Sequence, residues 1–212
     1  MKQNQSGFTL IEIAIVLVII GLLLGGVMKG QELINSAKVK NLATDFKNIP
    51  VFIYGYQDKY RALPGDDKDV KTHISASAVA AASSTVGTGT IDGVWNETGE
   101  VESHLFWQHV RMAGLAAGPT DVTADIHPSN ATGGIIGVSS AANSPIKNLT
   151  GSYIICSSAI AGKFAKQLDI TMDDGKSDTG SMRTRSATSP GTATDAETTL
   201  TDDTPYIVCM GF

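Results

Sequence analysis

Glu12 is a carboxylate in the wrong solvent. It stands in residues 8–28, a run that is otherwise apolar apart from Thr9. An ionisable side chain inside such a run costs about 3 kcal/mol unless something neutralises it, so its presence marks a function and asks for a cationic partner. The plain alternative is a signal anchor whose Glu lies close enough to the interface to snorkel. Cys156 and Cys209 are the next pair with chemistry. In an exported domain an even count favours one disulfide; in a cytosolic domain two buried thiols are the reading. Joined, they would close a loop of about 50 residues, worth roughly 4 kcal/mol on a loop-entropy argument.

The other candidate groups are weaker. Asp169, Asp173, Asp174 and Asp178 cluster in sequence, but Ile170 and Met172 fill slots that an EF-hand loop gives to oxygen ligands. A turn with solvated carboxylates is therefore preferred to a calcium site, and the same holds for Asp66-Asp67. His73, His104, His109 and His127 show no metal spacing; His104 and His109 fall off a common helix face, unlike the pair in H-E-x-x-H. No G-x-S-x-G, P-loop or G-x-G-x-x-G occurs, so the chain is read as a non-enzyme without metal or cofactor. Asn96, Asn130 and Asn148 each open an N-x-[ST] sequon, a pattern common by chance. Of the aromatic residues Trp95, Phe106 and Trp107, the last reads as core and the first stays open.

The 212-residue chain carries a formal net charge of −5 and 42% hydrophobic residues. That is no basic footprint, and it argues against nucleic acid as a partner. At about 1.5 Å per residue the run 8–28 makes a helix of roughly 30 Å, enough to cross a hydrocarbon core. Its glycines Gly21, Gly25 and Gly26 weaken a helix but let packed backbones approach. Beyond it, Val39, Leu42, Phe46, Ile49, Ile53, Tyr56 and Tyr60 recur at three- and four-residue steps, an apolar stripe that continues the helix. Pro50 falls inside the stripe and should kink it. Leu63-Pro64-Gly65-Asp66-Asp67 ends it.

Residues 75–90 are all Ala, Ser, Thr, Gly or Val, a surface loop or weak helix. A second helix is expected over 100–117, with Thr98 as cap, Glu100 in its first turn, and Leu105, Phe106, Val110, Met112 and Ala113 on its apolar side. Short strands are expected at 134–139, 152–157, 168–172, 181–184 and 206–210, with Asp174-Gly175 as a hairpin turn. Residues 186–204, rich in Ser and Thr and without a basic residue, read as a mobile exposed loop.

The N-terminus has no signal-peptide cleavage site after the apolar run; its small-residue break, Ser6-Gly7, precedes it. Gly7, then Phe8-Thr9-Leu10-Ile11-Glu12, then the run to Gln31-Glu32-Leu33-Ile34, resembles the leader of type IV prepilins and type II secretion pseudopilins. The resemblance implies cleavage between Gly7 and Phe8 by a prepilin peptidase, and N-methylation of Phe8. It also implies a pairing of Glu12 with the Phe8 amine of a neighbouring subunit. The fold implied is α+β and pilin-like: a long N-terminal helix packed on a small C-terminal antiparallel sheet with long loops. The domains implied are a leader over 1–7, a membrane and filament-core helix over 8–28, its amphipathic continuation over 29–62, and a globular domain over 63–212.

The partners implied are copies of the chain and other pilin-like subunits, the prepilin peptidase and methyltransferase, the membrane before assembly, and inner-membrane machinery with a separate ATPase. Location follows as the bacterial inner membrane, N-in and C-out, and then a periplasmic or extracellular filament. Charge does not set that orientation, because Lys2 precedes the helix while Lys29, Lys38 and Lys40 follow it. Tyr60-Arg61-Ala62-Leu63-Pro64-Gly65-Asp66 is also similar to segments of Gram-negative pilin-like proteins. In pilins the region enclosed by a C-terminal disulfide is a variable contact face, which here implies a Cys156–Cys209 bond and an exposed patch over 163–208. One departure is that no proline lies between Phe8 and Ile49, where many pilins carry one. A surface pilus subunit is the leading expectation, and a pseudopilin or minor pilin the alternative. The rival from another class is a monomeric, signal-anchored periplasmic binding protein.

Overall fold

The computed structural model describes residues 9–82, 86–187 and 193–212. Helix α1 runs over Leu10–Tyr60, α2 over Val70–His73, α3 over Glu102–Met112 and α4 over Gly162–Met172. The strands are β1 Ile136–Ser140, β2 Tyr153–Ala161, β3 Met182–Ser186 and β4 Pro205–Gly211. They form one antiparallel sheet in the order β1-β2-β4-β3. A long apolar helix followed by a small antiparallel sheet is the α+β arrangement expected from the sequence.

The chain divides into two units between Ala37 and Lys38. In the first, residues 9–29 are all exposed. Apolar side chains outward on every side of a helix mean that water is not its intended surroundings.

The second unit has a core of its own. From α1 it takes Val39, Leu42, Ala43, Phe46, Ile49, Ile53 and Tyr56, the expected stripe. Pro50 lies inside the helix without ending it. Ile49 and Ile53 on either side are 2% and 1% exposed, so packing outweighs the local penalty. Arg61, at φ 57°, closes α1 in the left-handed conformation, its N–H bonded to the Gln57 carbonyl at 2.8 Å.

The pleat of the sheet sorts its side chains into two apolar groups. Ile155, Val208 and Met182 join α1, α3 and α4 in the main core. Ile154, Cys156 and Cys209 meet Trp95, Ile146 and Leu149 in a second cluster. Trp107 is core as expected, and Trp95, which the sequence left open, is also buried.

Four expectations are corrected. Residues 168–172 are the end of α4, not a strand: Leu168 is fully buried while Ile170 is 69% exposed, as helical spacing dictates and strand alternation forbids. Asp174-Gly175 therefore joins a helix to a strand. Helix α3 begins later than expected, after Val101, and Thr98 does not cap it. Among the described residues, 186–204 is no free loop: Thr194 bridges Ile146, the Glu197 N–H donates to the Thr184 carbonyl at 2.8 Å, and Leu200 is buried. Residues 188–192 of that stretch lie outside the described residues.

Candidate functional site

Glu12 has local partners. The Thr9 N–H and the Thr9 hydroxyl both donate to Glu12 Oε2, each at 2.8 Å, and the Glu12 N–H donates back to Thr9 Oγ1 at 3.3 Å. This is a capping box, in which a Thr and a Glu three residues on satisfy each other's amides at the start of a helix. The Thr-x-x-Glu spacing was legible in the sequence; the reading of Glu12 as an unmet charge passed over it. Gly7 and Phe8 lie outside the described residues.

C-terminal to the box, the helix is long and apolar enough to cross a membrane, and none of its most apolar window is buried. Cβ atoms added at Gly21, Gly25, Gly26 and Gly30 would meet nothing within 4 Å. These glycines leave shallow places where another helix or lipid can seat closely. The first charges after the run, Lys29 and Glu32, pair with each other at 2.7 Å.

Cys156 of β2 and Cys209 of β4 are register partners with Cα atoms 4.1 Å apart, and they form a disulfide. It fastens the last strand to the sheet within the second apolar cluster. The enclosed stretch 163–208 is not one exposed face. Phe164, Ala165, Leu168 and Met182 are buried in the core. Lys163 and Lys166 lie outside, paired with Asp203 and Asp202 at 2.9 and 2.8 Å.

The Leu63-Pro64-Gly65-Asp66-Asp67 turn is an anchor as well as a stop. Asp66 accepts backbone N–H groups from Gly87, from Thr88 at 3.1 Å and from Gly89 at 2.7 Å. Asp67 Oδ2 accepts the Tyr56 hydroxyl at 2.7 Å and lies 2.8 Å from His73 Nδ1. Burial first, and then the bond to Asp67, push the Tyr56 hydroxyl's pKa up, which keeps it a donor. The Gly65 N–H donates to His109 Nδ1 at 2.9 Å, so His109 Nε2 carries the hydrogen given to the Val79 carbonyl at 2.8 Å. Burial lowers the His109 pKa and favours this neutral form. Gly65 itself, at φ 94°, admits no side chain: an added Cβ would lie 2.4 Å from the Glu102 carbonyl oxygen.

Folding gathers Asp169, Asp173 and Asp174, while Asp178 is not in the group. Gly175 N–H donates to Asp169 Oδ1 at 2.8 Å, and Met182 N–H to Asp173 Oδ2 at 2.7 Å. Burial, with Asp174 and Asp173 adding to it, pushes the Asp169 carboxyl up to about 6. A second gathering, His104 with Asp125 and His127, was invisible as a motif. Its members come from α3 and from the loop before β1.

Residues 2–28 match the family model described as the prokaryotic N-terminal methylation motif. This is the leader signature of type IV pilins and pseudopilins, and the resemblance read from Gly7, Phe8 and Glu12 is thereby shown. No curated protein and no solved structure matches the chain. The motif and the apolar helix together support membrane anchoring before assembly and a pilin-like or pseudopilin subunit, a structural kind of protein.

Proposed function

We propose that the chain is the subunit of a type IV pilus-like surface filament. The observation that carries this reading is the methylation motif on a helix whose apolar surface, carrying Glu12, is exposed on all sides. Prepilin peptidase cuts between Gly7 and Phe8, and the new Phe8 amine is methylated. The product waits in the inner membrane, N-in and C-out, with 8–28 as its anchor, 29–62 as the amphipathic continuation and 63–212 as the exported domain. Apolar burial between helices supplies cohesion in the filament. Glu12 meets the Phe8 amine of a neighbour, and that pairing sets register, because either charge alone in the bundle is strongly disfavoured. The Cys156–Cys209 bond keeps the last strand in place outside the cell, where thiols oxidise. Subunit extraction is driven by a separate ATPase.

The same motif supports a pseudopilin or minor pilin as the second reading. The test is the N-terminal peptide mass of the protein in sheared extracellular material. A peptide beginning at methylated Phe8 in that fraction is the expected result. The same peptide confined to membranes favours the pseudopilin or minor-subunit reading. A chain still beginning at Met1 overturns both and favours a monomeric anchored binding protein.

A further inference from the structure

Away from the N-terminal helix, two imidazoles and a carboxylate converge on the loop between α3 and β1. His104, Asp125 and His127 each offer one ligand atom, and the three atoms lie within 4.8 Å of one another. His104 is a fully buried residue of α3. The Ile126 N–H donates to its Nε2 at 3.2 Å, so Nδ1 carries the hydrogen, which goes to the Gly99 carbonyl at 2.9 Å. Fixing one ring nitrogen on a backbone carbonyl is how proteins orient a histidine toward a metal, and an ion at Nε2 would take the place of the Ile126 N–H. That Nε2 lies 3.9 Å from Asp125 Oδ1.

His127 supplies the second ring. Its side chain is fully buried, and its Nδ1 lies 2.5 Å from Asp125 Oδ1. Without an ion the Asp125 carboxylate holds the hydrogen on Nδ1; a metal at Nδ1 would displace it to Nε2, which has no hydrogen-bond partner in the way. The Asp125 side chain is 52% exposed, which leaves it room to open its contact with His127 Nδ1 by the roughly 1 Å that two ligand atoms on one zinc ion require.

The loop is held in place independently of any ion. Arg111 Nη1 donates to the Pro119 and Ile126 carbonyls at 2.8 and 2.7 Å, and Gln108 Nε2 donates to the Thr120 carbonyl at 2.8 Å. Preorganisation of this kind lowers the cost of assembling three ligands.

We propose that His104, Asp125 and His127 bind one divalent transition-metal ion, zinc in the first instance, which pins the loop between α3 and β1 to α3. Two nitrogens and one carboxylate oxygen suit zinc rather than calcium, whose ligands are oxygens. A fourth position, beside the exposed side of Asp125, falls to water. The inference stands on the second unit alone and does not depend on whether the filament is a pilus.

The experiment uses the full chain in detergent, purified without a histidine tag, stripped with a chelator and titrated with Zn²⁺ and, separately, Co²⁺. The expected result is one ion per chain, visible d–d absorption from Co²⁺, and an unfolding midpoint raised by roughly 5–10 °C at a hundredfold excess of zinc over its Kd. Asp125→Asn and His127→Gln should each weaken zinc binding about tenfold to a hundredfold. Asp174→Asn, in the separate acidic group, should leave it unchanged. Should His127→Gln fail to fold, Asp125→Asn decides alone, since that side chain is half exposed. Absence of saturable zinc binding overturns the proposal, and so does binding that Asp125→Asn leaves intact or Asp174→Asn abolishes.

Discussion

Glu12 has two possible duties, and a pair of substitutions separates them. Within its own chain it closes a capping box with Thr9, through two contacts at 2.8 Å and a return bond at 3.3 Å. Between chains, on the proposed function, it neutralises the Phe8 amine. Glu12→Gln keeps the box, since glutamine serves as well at that position, and removes only the charge. Thr9→Val keeps the charge and removes the hydroxyl half of the box, at a cost of about 1 kcal/mol. An ammonium left without its counter-charge in a helix bundle costs about 3–5 kcal/mol, which is roughly a hundredfold to several thousandfold in an assembly equilibrium. The assay is the ratio of sheared filament protein to processed, membrane-held subunit. Glu12→Gln should abolish filament protein while cleavage continues, and Thr9→Val should lower it by no more than about tenfold. Normal assembly of Glu12→Gln would refute the intersubunit pairing, and a loss confined to Thr9→Val would assign the Thr9–Glu12 pair to the cap alone.

Other substitutions test the second unit. Gly65→Ala should cost about 3 kcal/mol or more, from the left-handed backbone and the clash with the Glu102 carbonyl, read by denaturant midpoint; a change under about 1 kcal/mol would contradict that geometry. Cys209→Ser should destabilise by about 2–5 kcal/mol, and a reductant should reproduce the loss in wild type but not in the variant. Asp169, pushed up to about 6 by burial, prefers its protonated form in the fold. Its stabilising contribution is therefore full below pH about 4 and lost as pH rises through about 6. Asp169→Asn should accordingly match wild type at pH 4 and exceed it by about 1–2 kcal/mol at pH 7, and a lower midpoint at pH 7 would reverse the argument. Leu168→Ala should cost about 2–5 kcal/mol, whereas Ile170→Lys should cost under about 0.5 kcal/mol; equal costs would restore the strand reading of 168–172.

What the sequence disclosed and what it withheld divide along the range of the interactions involved. The apolar run, the stripe from Val39 to Tyr56 and the Pro-Gly stop after Tyr60 depend on neighbours one to four residues away, and all three were legible. Leu168, Ile170 and Met172 misled because alternation over five residues fits a strand as well as the end of a helix. The choice was made by Phe164 and Ala165, which are buried with Leu168 on the helical face and which the short window excluded. Asp66 read as a turn residue because its true partners, the amides of Gly87, Thr88 and Gly89, are distant in sequence. His104 and His127 carry no spacing motif for the same reason: their meeting is produced by Arg111 and Gln108 drawing the loop along α3. Thr9 and Glu12 are the instructive exception. Their contact is local and was available, but the cost of a charge in an apolar run drew attention to partners in another chain. A residue that satisfies its own helix end while unassembled can give up that bond when a neighbour's amine arrives. On the proposed function, the cap would hold the subunit's N-terminus in shape for that exchange, and the exchange would supply the register that the cap alone cannot.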